Sequence, residues 1–280
     1  MKWLAFPLLC ILMSCRHGSD MRDDQVYSRH LQRQVKLSIL NTPVPADKSV
    51  LNLLILNDGQ EMEKLRMKAI VDSLFKAGAI QPLVVVGIHA GDRMQEFGVA
   101  GQADYEGRGS RAGYYEAFID DELYPFIKKK AGVRKFKSIA IAGCSLGGLS
   151  SLDMAWDHAD KIDKVGSFSG SFWWRDKSAD DSSYSDEKNR ILYAKIKSSR
   201  KRPKLQYWLY AGGAEENSDR DKDGVIDVLD DTQDMVSLLK EKKNVAANDV
   251  VFVTDPTGQH DWRWWSQQMP AFLVWAFGRN

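Results

Sequence analysis

Gly143-Cys144-Ser145-Leu146-Gly147, followed by Gly148, constrains this chain more than any other stretch. It follows the apolar run Ser138-Ile139-Ala140-Ile141-Ala142, which reads as a buried strand, and it leads into 149–158, which reads as a helix. A serine on so sharp a strand-to-helix turn needs glycines around it. Larger side chains would block the turn, and the turn lifts the hydroxyl clear of the sheet. The next residue, Leu146, then aims its backbone N–H at a developing oxyanion. A chance G-x-S-x-G is expected in roughly one chain in ten of this length. The setting between strand and helix therefore carries the weight, and Cys144 reads as a small buried filler beneath the turn.

The rest of the chain supplies a sheet for that turn. An alternating stretch, Gln34-Val35-Lys36-Leu37-Ser38-Ile39, predicts a half-exposed early strand. Nearly continuous apolar runs at 50–56 and 82–88 predict buried parallel strands. The first ends in the turn signal Asn57-Asp58-Gly59-Gln60. Further strands are expected at 164–169, 205–211 and 250–254. Helices are expected at 61–77, 112–130, 187–196, 231–242 and 263–277. The glycine-rich segment 89–111 has no period and is long for a bare connection, which suggests a functional loop. Alternating strands and helices imply one α/β domain, a mostly parallel sheet with helices on both faces and the ligand site at the carboxyl ends of the strands. A length of 280 residues suffices for one such core, which is placed at 31–280.

The first residues read as a sorting signal. Met1-Lys2 precedes an apolar run over 3–13, too short to remain as a membrane span, and then Ser14-Cys15. Leu12-Met13-Ser14-Cys15 resembles a bacterial lipobox, with Cys15 lipidated. Residues 1–15 are thus expected to be a lipoprotein signal and 16–30 a tether. The protein is expected to be exported and to meet the membrane, on its periplasmic or cell-surface face, through the lipid alone. Removing Cys10 and lipidating Cys15 leaves only Cys144, so no intramolecular disulfide can form. A net charge of +1 argues against nucleic acid as the main partner. The basic clusters at 128–137 and 197–204 hold one aromatic between them, Phe136, and read as a helix end and a solvated loop.

A serine hydroxyl is a weak nucleophile until a base takes its proton. On a sheet of this kind the partners follow in the order nucleophile, acid, histidine, and only His158 and His260 follow Ser145. His158 lies thirteen residues down the helix, roughly 20 Å away at 1.5 Å per residue, so His260 is the base. The acid should follow the strand at 205–211, where Gly212-Gly213-Ala214-Glu215-Glu216 offers two carboxylates. Glu215 is preferred over Glu216, with Asp255 an outside candidate. The second oxyanion donor is placed on the backbone of Gln60.

A second pattern points to calcium. In the twelve residues from Asp219 to Asp230, oxygen ligands fall at Asp219, Asp221, Asp223, Asp227 and Asp230, glycine is sixth, and the Val225 carbonyl is seventh. Hard Ca2+ suits such a loop, and it would pin the segment carrying Glu215. Asp230 stands where an EF-hand has a bidentate glutamate, as in dockerin loops, and no preceding helix is evident.

Together these pieces resemble the putative-esterase family of α/β-hydrolases, which includes esterase D and enterobactin, feruloyl and acetylxylan esterases. The resemblance covers about 31–278. It rests on Leu56-Asn57-Asp58-Gly59-Gln60, on the segment from Gly107 to Tyr124-Pro125, on the Ser145 elbow, on Gly166-Ser167-Phe168-Ser169-Gly170-Ser171-Phe172-Trp173-Trp174, and on Gly258-Gln259-His260-Asp261-Trp262. It implies an α/β-hydrolase fold, Ser145 as nucleophile, His260 as base and an acid near Glu215. Cys144 and Asn57 depart from the pattern without removing a catalytic group. The expected activity is hydrolysis of a carboxylic ester, small or polysaccharide-linked, with no organic cofactor. Trp173, Trp174 and Arg93 are candidates to border the substrate, and Tyr105 is a weaker one. An acyltransferase using the same triad, or a binding lipoprotein retaining the fold, are the alternatives.

Overall fold

The computed structural model describes residues 18–279; residues 1–17, with the expected signal and Cys15, lie outside the described residues. The apolar runs form one sheet in the order β1-β2-β4-β3-β5-β6-β7-β8. Its strands are β1 Asp20–Ser28, β2 Arg33–Asn41, β3 Asn52–Asn57, β4 Leu83–Ile88, β5 Ile139–Cys144, β6 Lys164–Phe168, β7 Gln206–Gly212 and β8 Val250–Asp255. β1 and β2 are antiparallel to their neighbours, and β4 through β8 run parallel. This is the mostly parallel α/β-hydrolase arrangement expected. The helices are α1 Met67–Lys76, α2 Arg93–Glu96, α3 Ala112–Ala117, α4 Tyr124–Ala131, α5 Leu146–Asp157, α6 Asp186–Asn189, α7 Ile191–Ser198, α8 Asp227–Ser237 and α9 Trp262–Phe277.

The continuous apolar strands feed two cores because successive side chains point to opposite faces. Leu53, Ile55, Ile139, Ile141 and Leu209 pack on one face with α5 and α7. Leu54, Leu56, Ala140, Ala142 and Trp208 pack on the other with α1 and α9. Gly166 in β6 lets α9 approach: a Cβ there would lie 2.6 Å from the Phe272 ring.

Three expectations are corrected. Residues 20–28 of the expected tether are strand β1, paired with β2 from Asp20–Asn41 to Ser28–Arg33. Its side chains are mostly exposed, so it carries no hydrophobic period, and the open backbone edge of β2 recruits it. The helix expected over 112–130 is interrupted by a π-helical stretch at Phe118–Leu123. Pro125 has no N–H to continue an α-helical ladder, and wider turns absorb the break. Helix α8 starts at Asp227, not Asp231, because the Glu216 carboxylate accepts the Val228 N–H at 2.8 Å and caps the first turn.

Candidate active site

Strand β5 delivers Ser145 at φ 55°, ψ −124°, a left-handed conformation costly for any residue but glycine. The fold overrides that cost through close backbone approach. A Cβ at Gly143 would lie 2.4 Å from the Gly147 backbone, one at Gly147 would lie 3.1 Å from Asp58 Oδ2, and one at Gly148 would lie 2.6 Å from Ser167 Oγ. The Ser145 N–H donates to the Phe168 carbonyl at 2.8 Å, fixing the elbow to the end of β6. Cys144 beneath it is buried, and burial pushes its thiol well above the ordinary value, so it is inert.

The acid and the base meet at the ends of β7 and β8. His260 Nδ1 lies 2.7 Å from Glu215 Oε2. An ionised carboxylate only accepts, so Nδ1 carries the proton and Nε2 keeps its lone pair for a base's work. The Glu215 side chain is fully buried. Its other oxygen accepts from Ser169 Oγ and from the Gly212 N–H, each at 2.5 Å. Ser169 Oγ in turn accepts from Trp265 Nε1 at 2.8 Å, and the Trp265 ring meets the His260 ring edge-on at 4.9 Å. Asp261 caps α9 through the N–H groups of Arg263 and Trp264, which fixes the residue after the histidine. Glu216 is spent on its helix cap, and Asp255 accepts from Thr257 within its own turn. His158 is held 2.6 Å from Glu116 at the far end of α5, and that bond raises its pKa.

Ser145 Oγ and His260 are not hydrogen-bonded to each other; the hydroxyl partners Ser171 Oγ at 3.3 Å. Catalytic hydrogen bonds often tighten only when substrate is engaged. The two groups are linked through one strand end. Ser145 is tied to Phe168, and Ser169, the next residue, is tied to Glu215, which holds His260. Ser169 and Ser171 were not singled out from sequence, although both lie in the Ser-Phe-Ser-Gly-Ser run after β6.

Leu146 opens α5, so its N–H has no partner within the helix. Gln60 sits in the short 3-10 turn Gly59–Glu61, which follows Asp58 in the left-handed region at φ 58°. That turn is pinned to the elbow helix. Asn57 Nδ2 donates to the Gly147 carbonyl at 2.9 Å and to Ser151 Oγ at 3.0 Å, and Asn57 Oδ1 accepts from Tyr115 at 2.7 Å. The Gln60 side chain bridges Asp58 Oδ1 and the Ala90 N–H.

Arg93, expected near substrate, is committed to buried Asp58 through Nε and Nη2, both at 2.9 Å, and braces the same turn. Trp174 is corrected from a substrate contact to a core plug: it is 0% exposed, and a Cβ on Gly109 would lie 3.2 Å from its ring. Trp173 is half-buried, beneath the Arg108 and Arg175 guanidinium groups, and Tyr105 is exposed beside Arg175. In the acidic loop, the carboxylates of Asp219, Asp221 and Asp223 converge within 4.8 Å. Asp227 turns instead to Ser218 Oγ and the Arg220 N–H. Asp230 lies in the first turn of α8, where burial, then Asp234, Asp231 and Asp221, push its carboxyl up to about 6.

Known proteins share this fold. A ferulic acid esterase structure superposes with a TM-score of 0.70 at 19% identity, covering 93% of this chain and 98% of that one. The enterobactin esterase from Shigella flexneri, solved in the presence of 2,3-Di-hydroxy-N-benzoyl-glycine, gives 0.69 at 21%, with 91% of this chain and 58% of that chain covered. At such identities these structures share the fold alone. A curated relative, "Uncharacterized protein YbbA" of Bacillus subtilis (strain 168), is 24% identical over 231 residues, covering 80% of this chain and 85% of that protein. The family described as "Putative esterase" matches residues 28–276, from the end of β1 through the elbow to α9, and the chain belongs to that family.

Proposed function

We propose that the protein is an exported serine esterase that hydrolyses a carboxylic ester through an acyl-enzyme on Ser145. The observation that carries this reading is the buried Glu215 holding His260 by Nδ1, one strand end away from the strained serine elbow. In the first step His260 Nε2 takes the Ser145 proton as Oγ attacks the ester carbonyl. The carbonyl oxygen gains the negative charge between the N–H groups of Leu146 and Gln60. Glu215 stabilises the imidazolium, which then protonates the departing alkoxide as the carbonyl re-forms. Water repeats the sequence on the acyl-enzyme, releasing the acid and restoring the serine hydroxyl.

The relatives named for ferulic acid and enterobactin direct the substrate search to aryl-bearing esters, and half-buried Trp173 offers a ring to meet them. A Ca2+ ion on Asp219, Asp221 and Asp223 is part of the same proposal. Three like-charged carboxylates converge there and accept only backbone N–H groups of their own loop, so an oxygen-seeking cation would neutralise them. Lipidation at Cys15 and export complete it.

The test is a panel of acetyl, feruloyl, short-chain and siderophore esters with wild type and Ser145→Ala, together with a fluorophosphonate probe. Turnover of one ester class and labelling of wild type alone are expected. Equal labelling of Ser145→Ala would remove the nucleophile assignment.

A further inference from the structure

The segments 128–137 and 197–204 hold six and five Lys or Arg residues, with no Asp or Glu between them. The fold brings both to one end of the sheet. The first leads into β5 at Ile139 and the second into β7 at Gln206, and through β6 these strands are parallel, with Lys164 opposite both Ala140 and Gln206. Both segments therefore sit at the amino ends of strands, while Ser145, Glu215 and His260 follow the carboxyl ends. The chain entering β8 joins them there. Lys243 Nζ donates to the Lys197 carbonyl at 3.1 Å, and Arg202 Nη1 donates to the Lys243 carbonyl at 2.7 Å. Lys129, Arg134, Lys135, Arg200, Lys204 and Lys242 are exposed and form no ion pair among the described residues. The whole chain is only +1; Asp163 and Asp249, which directly precede β6 and β8, lie at this basic end, and most of the balancing negative charge lies elsewhere. Much of it follows the carboxyl ends of β6, β7 and β8, at Asp180, Asp181, Asp219, Asp221, Asp223 and Asp261. The molecule is thus a charge dipole whose positive pole is opposite the candidate active site.

The polypeptide enters the fold at the positive pole. Asp20 pairs with Asn41, which pairs with Val84 near the amino end of β4. Arg22, Lys48 and Lys130, with the single acid Asp20, line one cavity there, of about 340 Å³. In sequence, the apolar run 3–13 and Cys15 lie immediately before this point.

We propose that this basic end is a docking surface for an anionic phospholipid bilayer, which turns the candidate active site toward the aqueous side. The proposal stands on charge placement and does not depend on the esterase reading. Lipid fits better than nucleic acid because the single aromatic in the basic segments, Phe136, is buried and offers no face on which bases could stack, and because Cys15, the expected lipidation site, shortly precedes in sequence the point where the chain enters the fold at this end. Each Lys or Arg held at an anionic surface raises partitioning about fivefold. The acidic rim at the far end is repelled, which favours one orientation. Salt weakens the attraction as the screening length shortens, from about 10 Å at 0.1 M to about 3 Å at 1 M.

The test is co-sedimentation of the full chain carrying Cys15→Ser with vesicles of phosphatidylcholine, alone or mixed with phosphatidylglycerol. The apolar segment contributes to both, so their ratio reads the electrostatic part. We expect at least about a tenfold preference for the phosphatidylglycerol vesicles, falling as salt is added. Joint reversal of Lys129, Arg134, Lys135, Arg200 and Lys204 to Glu should abolish the preference, and Lys177→Glu with Lys188→Glu at the other end should keep it. The five Gln substitutions carry the same expectation if the reversal prevents folding. A preference that survives either five-site variant overturns the proposal. So does binding to duplex DNA with none to phosphatidylglycerol.

Discussion

Replacing Glu215 with glutamine exchanges one carboxylate oxygen for an NH2 group and keeps the shape, yet the surroundings dictate which way the amide must lie. One carboxylate oxygen faces two donors, Ser169 Oγ and the Gly212 N–H, and the other faces His260 Nδ1. Ser169 already accepts from Trp265, so its hydroxyl proton is directed at Glu215, and the Gly212 N–H cannot rotate at all. The amide oxygen must serve these two donors, which turns the NH2 toward His260. The imidazole then has to accept at Nδ1 and carry its proton on Nε2, the wrong tautomer for taking a proton from Ser145. The negative charge that stabilised the imidazolium is lost as well. Loss of the orienting carboxylate in such a triad lowers kcat by about 10^4, or about 5 kcal/mol of barrier. We expect a loss of about 10^3- to 10^4-fold in p-nitrophenyl ester hydrolysis and in fluorophosphonate labelling rate, with KM little changed. Glu216→Gln removes no contact to His260 and should stay within about threefold of wild type. The reasoning fails if a folded Glu215→Gln keeps more than a tenth of the activity, or if Glu216→Gln is the variant that loses it.

Other consequences can be checked on the purified protein. Gly143→Ala would place a Cβ 2.4 Å from the Gly147 backbone, and forced overpacking of this kind should cost about 1–3 kcal/mol or more in urea unfolding; an unchanged midpoint would show that the elbow can relax. Asp72 ties the start of β1 to α1 by accepting from Ser19 N and Oγ. Burial opposes its ionisation, but bonds from Lys68 and Ser19 prevail and lower its carboxyl to about 2. Its contribution is therefore present above the ordinary carboxylate value near 4 and lost as pH falls through about 2. The melting-temperature gap between wild type and Asp72→Asn should close over that window, and a gap independent of pH would contradict the assignment. Calcium at a hundred times its dissociation constant should stabilise the protein by about 2.7 kcal/mol. The melting temperature should rise accordingly, and Asp221→Asn should blunt the rise; no rise in wild type counts against an ion on the acidic loop.

Some of this molecule was legible in the order of residues because local chemistry leaves local marks. The continuous apolar runs announced strands buried on both faces, and alternating strand and helix announced a parallel sheet. The glycines around Ser145 announced a turn in which backbone touches backbone. Chain order alone left only His158 and His260 after the serine, and helix length disposed of His158. Where side chains stay in water the marks vanish. β1 was hidden because an edge strand takes its place from backbone hydrogen bonds, which any sequence can make. The choice between Glu215 and Glu216 needed three dimensions, since adjacent residues share composition and differ only in direction. One turns inward to Ser169, Gly212 and His260, and the other caps α8. Trp173 and Trp174 divided the same way, one at the surface and one filling the core. The two basic segments acquired a common meaning only when parallel strands brought their amino ends together. Sequence determined which residue types could do chemistry and where the chain must bend. Tertiary structure decided which of them meet, because burial and mutual distance are properties of the packed whole.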